Sequence, residues 1–254
     1  MGFGGFERRD RVRFQTNVLQ QVICQVRFSH SFQIEEPSSI AGFQRELKER
    51  YPAALPREEL LLELSVRGSQ TSDVRTPSIY RFRDASGAWV VSLSPDWVGL
   101  ETTGYTDYAE FRERLEQVVR LVEEQFEPAQ TERIGFRYVN ELPCGAKGDW
   151  RALIGPELHG LAADDKVLDH LVESVEELHL VVEASRLNVR HGVVTKGDTQ
   201  CYTFDIDAFS EARDSFDSAR IVSVVDDLKA RAWSFFRASI TDELLSQLGT
   251  TQVP

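Results

Sequence analysis

The chain has 254 residues, with 41% hydrophobic residues, Lys+Arg 29 against Asp+Glu 41, and a formal net charge of −12. Those proportions suit a folded globular protein and exclude a disordered polymer, a collagen-like repeat and a coiled-coil rod. They also exclude duplex DNA as a partner of the whole molecule, because affinity there comes from neutralising phosphates.

Residues 1–16 are rich in Gly and Arg and carry no apolar leader segment. Gly2-Phe3-Gly4-Gly5 has no strand before it and no capped helix after it, so it lacks the setting of a phosphate loop. Val18, Val22, Cys24, Val26 and Phe28 then fall on even positions against Gln21, Gln25 and Arg27. That period of two predicts a strand with one buried face. A helix follows, capped by Ser38 or Ser39, with Ile40, Phe43 and Leu47 on one side and Pro52 at its end. Leu60, Leu62, Leu64 and Val66 alternate with polar residues and predict a second strand. The longest apolar runs, such as Leu60-Leu61-Leu62, are far too short to cross a membrane.

Tyr80 and Phe82 alternate with Arg81 and Arg83, and the turn Asp84–Gly87 joins that strand to AWVVSLS. Pro95-Asp96 turns into a further strand, WVGLETT. Thr106 or Asp107 caps the clearest helix, which places Phe111, Leu115, Val122 and Phe126 on one stripe and stops at Pro128. The strand ERIGFRYVNEL comes next, with Ile134, Phe136 and Tyr138 facing opposite to Arg133 and Arg137.

Pro143 to Gly148 is the best internal boundary, and it divides an N-terminal lobe, 1–143, from a C-terminal lobe, 144–254. Residues 149–174 read as weakly patterned helix. Three strands follow, within 177–184, 187–195 and 200–209, with Gly197-Asp198 as a hairpin turn. A helix from Ser218 to Phe236 carries Ile221, Val224, Val225, Leu228, Ala232 and Phe235. Thr241 caps a last helix that Gly249 closes. The fold class is therefore α+β: two lobes, each a mainly antiparallel sheet packed by a long amphipathic helix.

Three cysteines, Cys24, Cys144 and Cys201, are odd in number and widely spaced. That pattern predicts neither a disulfide framework nor a zinc site, and it points to a reducing cytoplasm. The five histidines are scattered without metal-ligand spacing. No P-loop, GxSxG or HExxH motif is present.

Two constellations remain as candidate sites. Asp205 and Asp207, at i and i+2 of a strand, project from one face and could hold a divalent cation such as Mg²⁺. Arg27, Arg81, Arg83, Arg133 and Arg137 all sit on the non-core parity of their strands. If those strands are neighbours, they could grip a phosphate, a nucleotide, RNA or an acidic protein tail. Cross-strand ion pairs are the plain structural alternative for the same residues. Residues 157–183 hold eight carboxylates and one Lys, a solvated surface or a docking face for a basic partner.

RIGFRYVNEL at 133–142, NVLQQVICQVRF at 17–28, FDIDAF at 204–209 and the closing FFRASITDELLSQLG resemble a sporadically distributed family of uncharacterised prokaryotic proteins. The resemblance runs from Asn17 to Gly249; one departure is Val18, where that family usually has Pro. It implies a bacterial origin and one integral two-lobed unit, and it transfers no catalytic residue. The patchy distribution is that of defence or toxin–antitoxin genes. The expectation is a non-enzymatic cytoplasmic binding protein with a protein partner and no cofactor, an accessory or neutralising component of such a system. The alternatives are a Mg²⁺-dependent nucleotide- or nucleic-acid-processing enzyme built on Asp205 and Asp207, and an RNA or nucleotide sensor built on the Arg face.

Overall fold

The computed structural model describes residues 12–58 and 79–252. The glycine-rich start and the strand expected around Leu60–Val66 lie outside the described residues. In chain order come β1 (Val12–Phe14), β2 (Leu19–Phe28), α1 (Phe32–Glu35), α2 (Pro37–Leu47), β3 (Ala53–Glu58), β4 (Ile79–Arg83), β5 (Trp89–Ser94), β6 (Trp97–Thr102), α3 (Tyr108–Phe126) and β7 (Gln130–Glu141). After three short 3₁₀ turns come α4 (Asp165–Leu168), β8 (Glu173–Val182), β9 (Ser185–Lys196), β10 (Thr199–Ser210), β11 (Asp214–Ser215), α5 (Ser218–Ser239), α6 (Asp242–Leu248) and β12 (Thr250–Gln252).

The fold is α+β, with a ten-stranded antiparallel sheet in the order β3-β4-β5-β6-β2-β7-β10-β9-β8 and β11 paired to β7. The consecutive strands β4-β5-β6 and β8-β9-β10 pair as hairpins across short turns. Two compact units interleave in sequence. One comprises 24–134 and 212–222, the other 1–23, 135–211 and 223–254. Residues 135–143, expected in the N-terminal lobe, thus fall in one unit with 144–211.

In the unit built on 24–134, α3 carries the core stripe. Asp107 caps it by accepting from the Glu110 N–H at 2.9 Å, and Glu127 ends it in the left-handed conformation. Phe111, Leu115, Val119, Val122 and Phe126 are buried. Phe111 meets Trp89 at 5.8 Å between ring centroids, and Phe126 meets Phe43 of α2 at the same distance. The cap of α2 is Glu36, with Pro37 in the first turn, so the expected Ser38 or Ser39 cap lies inside the helix. Each residue on this stripe contributes about 1.5–3 kcal/mol by area. Leu115→Ala is therefore expected to cost about 3 kcal/mol, cavity included. Urea denaturation checks it, and a loss under about 0.5 kcal/mol would mean that the stripe faces elsewhere.

In the other unit, α5 buries Val225, Leu228, Ala232, Phe235 and Phe236, and Phe236 stands edge-on to Phe204 of β10 at 5.6 Å. Val224, expected on this stripe, is only half-buried. Residues 149–174 form 3₁₀ turns and the four-residue α4 rather than a longer helix. Gly155 and Gly160 punctuate that stretch, and its apolar residues lack a sustained period. Among the described residues no helix is long and apolar enough to cross a membrane.

Candidate functional site

The strand period sets the side chains of the two sequence-predicted sites. In β7, Phe136 and Tyr138 are buried and Arg137 is exposed; in β10, Phe204, Ile206 and Ala208 are buried while Asp205 and Asp207 sit on the opposite face. β7 and β10 are neighbours in the sheet. Arg137 and Asp205 therefore meet as a fork on a carboxylate, Nε to Oδ1 at 2.6 Å and Nη2 to Oδ2 at 2.5 Å. The bond to Asp205 raises the Arg137 pKa above its ordinary value against the opposing effect of burial, and the charges of Asp205 and Asp207 add to it. The leading residue of the anion site and the leading residue of the metal site are thus each other's partner.

The other arginines do not all converge: Arg27 and Arg133 lie on adjacent strands, and Arg81 and Arg83 lie apart from them. Arg27 of β2 lies 3.6 Å from Asp96. Arg81 and Arg83 are on β4, with β5 and β6 between them and β2. Three strand spacings separate those rows by about 14 Å. Arg133 is on β7, beside β2. Trp89 is a core residue under Arg114, whose guanidinium stands 4.3 Å over its ring, and the Trp97 ring lies across Gly99. All the arginines expected to converge have the predicted parity; the strand order keeps Arg81 and Arg83 away from Arg27.

A second polar cluster sits on β9 and β10. His191 is 1% exposed, on the core parity of β9 between Val189 and Val193. Its Nδ1 is 2.8 Å from the Tyr202 hydroxyl, which also lies 3.2 Å from the Leu158 carbonyl. Nε2 has no hydrogen-bond partner; Glu176, opposite His191 on β8, reaches only to 3.9 Å. The surrounding hollow, lined by Trp150, Leu158, His159, Glu176, His191 and Tyr202, holds about 10 Å³, room for roughly one water. A hollow of about 160 Å³ lies between α2 and β4, against Ile40, Gln44, Tyr80 and Phe82. Both are below the roughly 300 Å³ of a small-molecule site.

Burial pushes the His191 pKa below its ordinary 6.5, with Glu176 opposing. In the unfolded chain the ring protonates near the ordinary value, so below it the unfolded state binds more protons than the fold. His191 therefore leaves stability intact above pH 6.5 and subtracts from it as pH falls towards its folded pKa. Melting between about pH 7.5 and about pH 5.5 should show a smaller acid loss for His191→Phe than for the parent. Equal slopes would mean that another group titrates.

Cys144 and Cys201 are joined by a disulfide, which corrects the expectation of unlinked thiols. Gly145 and Gln200 form an isolated antiparallel bridge, N–H to carbonyl in both directions at 3.1 and 3.0 Å, and this register brings the adjacent cysteines face to face. Glu141 approaches both sulfurs and pairs with Lys196 at 2.7 Å. Cys24 lies outside the disulfide and is buried.

All eight carboxylates of the segment 157–183 are exposed, including those with a basic neighbour such as Asp165 beside Arg151 at 2.7 Å. No protein-family model matches this chain, and no curated protein matches it.

Proposed function

We propose that the protein is a non-enzymatic binding protein that docks a basic protein partner on its acidic segment, residues 157–183. One observation carries this reading: eight carboxylates of a single segment are all exposed, with Lys166 as the only Lys or Arg among them. A surface of one sign speeds encounter with the opposite sign and rejects phosphates. The resemblance to a patchily distributed prokaryotic family makes the product of a neighbouring gene the first partner to test, as in a defence or toxin–antitoxin pair.

The Arg137–Asp205 fork bears on the alternatives. A phosphate at Arg137 would compete with a carboxylate already bound in bidentate fashion. A Mg²⁺ at Asp205 and Asp207 would have to displace a guanidinium. The fork is half-exposed, so Arg137→Ala should cost only about 0.5–1 kcal/mol, and Arg137→Lys about as much because it loses the fork. Thermal melting of the two variants checks this, and an unchanged midpoint in both would show that the pair contributes nothing.

The test of function is co-expression with products of adjacent genes, followed by light scattering. A stoichiometric complex should weaken between about 0.1 and about 1 M salt, where the screening length falls from about 10 Å to about 3 Å. It should be lost in the triple variant Asp164→Lys, Asp165→Lys, Asp169→Lys. A complex indifferent to that variant refutes the acidic face. A Mg²⁺-dependent nucleotide hydrolysis abolished by Asp205→Asn would replace the whole reading with the enzymatic one.

A further inference from the structure

The sheet ends at β8, and the direction of its backbone groups follows from two observations. The register with β9 runs from Glu173↔Val194 to Val182↔Ser185, and the Thr195 N–H donates to the Val172 carbonyl at 2.9 Å. Residue 172 and the even-numbered residues after it therefore bond to β9. Glu173, Val175, Glu177, His179 and Val181 turn their N–H and C=O groups to the other side. Among the described residues no strand pairs there. An open edge usually carries a Lys, a Pro or a bulge that discourages pairing. β8 has no Lys, Pro or bulge; its charges are Glu173, Glu176 and Glu177, which restrict the registers open to a partner strand, and its register with β9 is unbroken over ten residues. It also shows apolar groups at that edge, with Val181 76% exposed and Leu178 and Leu180 only half-buried.

We propose that two copies of this chain pair antiparallel through β8, on a two-fold axis at Leu178, and so continue the sheet from one copy into the next. The proposal goes beyond the partner-docking reading and does not rest on it. Charge and shape select this register. Residues directly opposite in an antiparallel pair share a face, so an outward-bonding residue meets another outward-bonding residue. With the axis at Leu178, Val175 meets Val181 of the second copy and Glu177 meets its His179, each contact occurring twice. Each imidazole, already 3.4 Å from Glu177 of its own chain, then lies between two carboxylates. On the inner face the two Leu178 side chains meet each other. Moving the axis to residue 177 or 176 sets that glutamate against itself, and moving it to 180 sets Glu177 against Glu183; like charges directly opposite are unfavourable. Moving it to 179 sets the two imidazoles against each other and loses both Glu177–His179 contacts. At each strand end this register sets Glu173 opposite Glu183 of the second copy, and there Arg190 and Arg231 already stand beside the two carboxylates and offset their charge.

The 254-residue protein alone, across a dilution series in light scattering, should show a mass of twice 28.9 kDa that falls to the single-chain value only on dilution. His179→Pro removes an N–H that β9 does not use, so it should give the single-chain mass with unchanged circular dichroism. Val181→Lys should weaken the dimer without touching the backbone. Leu178→Cys reads the axis directly. Leu178 would face itself in a non-hydrogen-bonded pair, with Cα atoms about 4.5 Å apart, within disulfide reach. Mild oxidation should link that variant to itself and leave Leu180→Cys unlinked. A single-chain mass for the parent protein at every concentration overturns the proposal. So does a dimer that survives Val181→Lys and folded His179→Pro alike, or one in which Leu180→Cys links as readily as Leu178→Cys.

Discussion

Gly192→Ala is expected to destabilise the protein by at least about 4 kcal/mol, the range reserved for gross steric conflict. Gly192 lies opposite Val175 where β8 and β9 approach closely. A Cβ there would stand 1.9 Å from the Ser174 carbonyl oxygen and 2.9 Å from both the Ser174 carbonyl carbon and the Val175 Cα. All three are backbone atoms of the neighbouring strand, so no rotamer change relieves the clash and β8 must move as a body. Gly197→Ala is the control. Its φ of 62° also favours glycine, but a Cβ there has nothing within 4 Å, so only the conformational cost of about 1 kcal/mol applies. Urea denaturation should separate the two variants clearly, and a Gly192→Ala loss near that of Gly197→Ala would show that β8 is not held where it is described.

The second large effect belongs to the disulfide. Cys144 and Cys201 are 57 residues apart in sequence. Closing a loop of that length restricts the unfolded chain by about 4 kcal/mol on the chain-entropy model, within the 2–5 kcal/mol found for native bonds. Cys144→Ser should lower the melting midpoint strongly, and a thiol reductant should lower that of the parent to about the same value. The variant itself should ignore the reductant, since Cys144 is the exposed half and its serine adds no buried polar group. A parent midpoint indifferent to reductant would show that the bond contributes no stability.

The parts of the molecule that were legible from its residues are those governed by local periodicity. The alternation in residues 17–28 placed Val22, Cys24, Val26 and Phe28 inside, and all four are buried. The caps at Asp107 and Thr241 follow from side chains that reach their own helix, as does the Gly197-Asp198 turn from its own backbone. The pairing of Arg137 with Asp205 was not legible, because it depends on β7 lying beside β10 rather than β8. Parity fixed each side chain's face, but only the strand order fixed its neighbour. The disulfide was hidden for the same reason: a bridge between Gly145 and Gln200 aligns the two cysteines, and their spacing alone says nothing of it. His191 did leave a signal. It falls on the core parity of LNVRHGVVT, where an ionisable ring demands an explanation.

The pairing of β1 with β12 sets Val12 opposite Gln252 and Phe14 opposite Thr250. The two extremities of the described chain thus lie side by side, antiparallel, about 5 Å apart across a ladder. In topological terms the segment from residue 12 to residue 252 is nearly a closed ring. A circular permutant in which a short flexible linker joins residue 252 to residue 12, and which is reopened at the exposed turn between Gly197 and Asp198, would keep every strand neighbour described above.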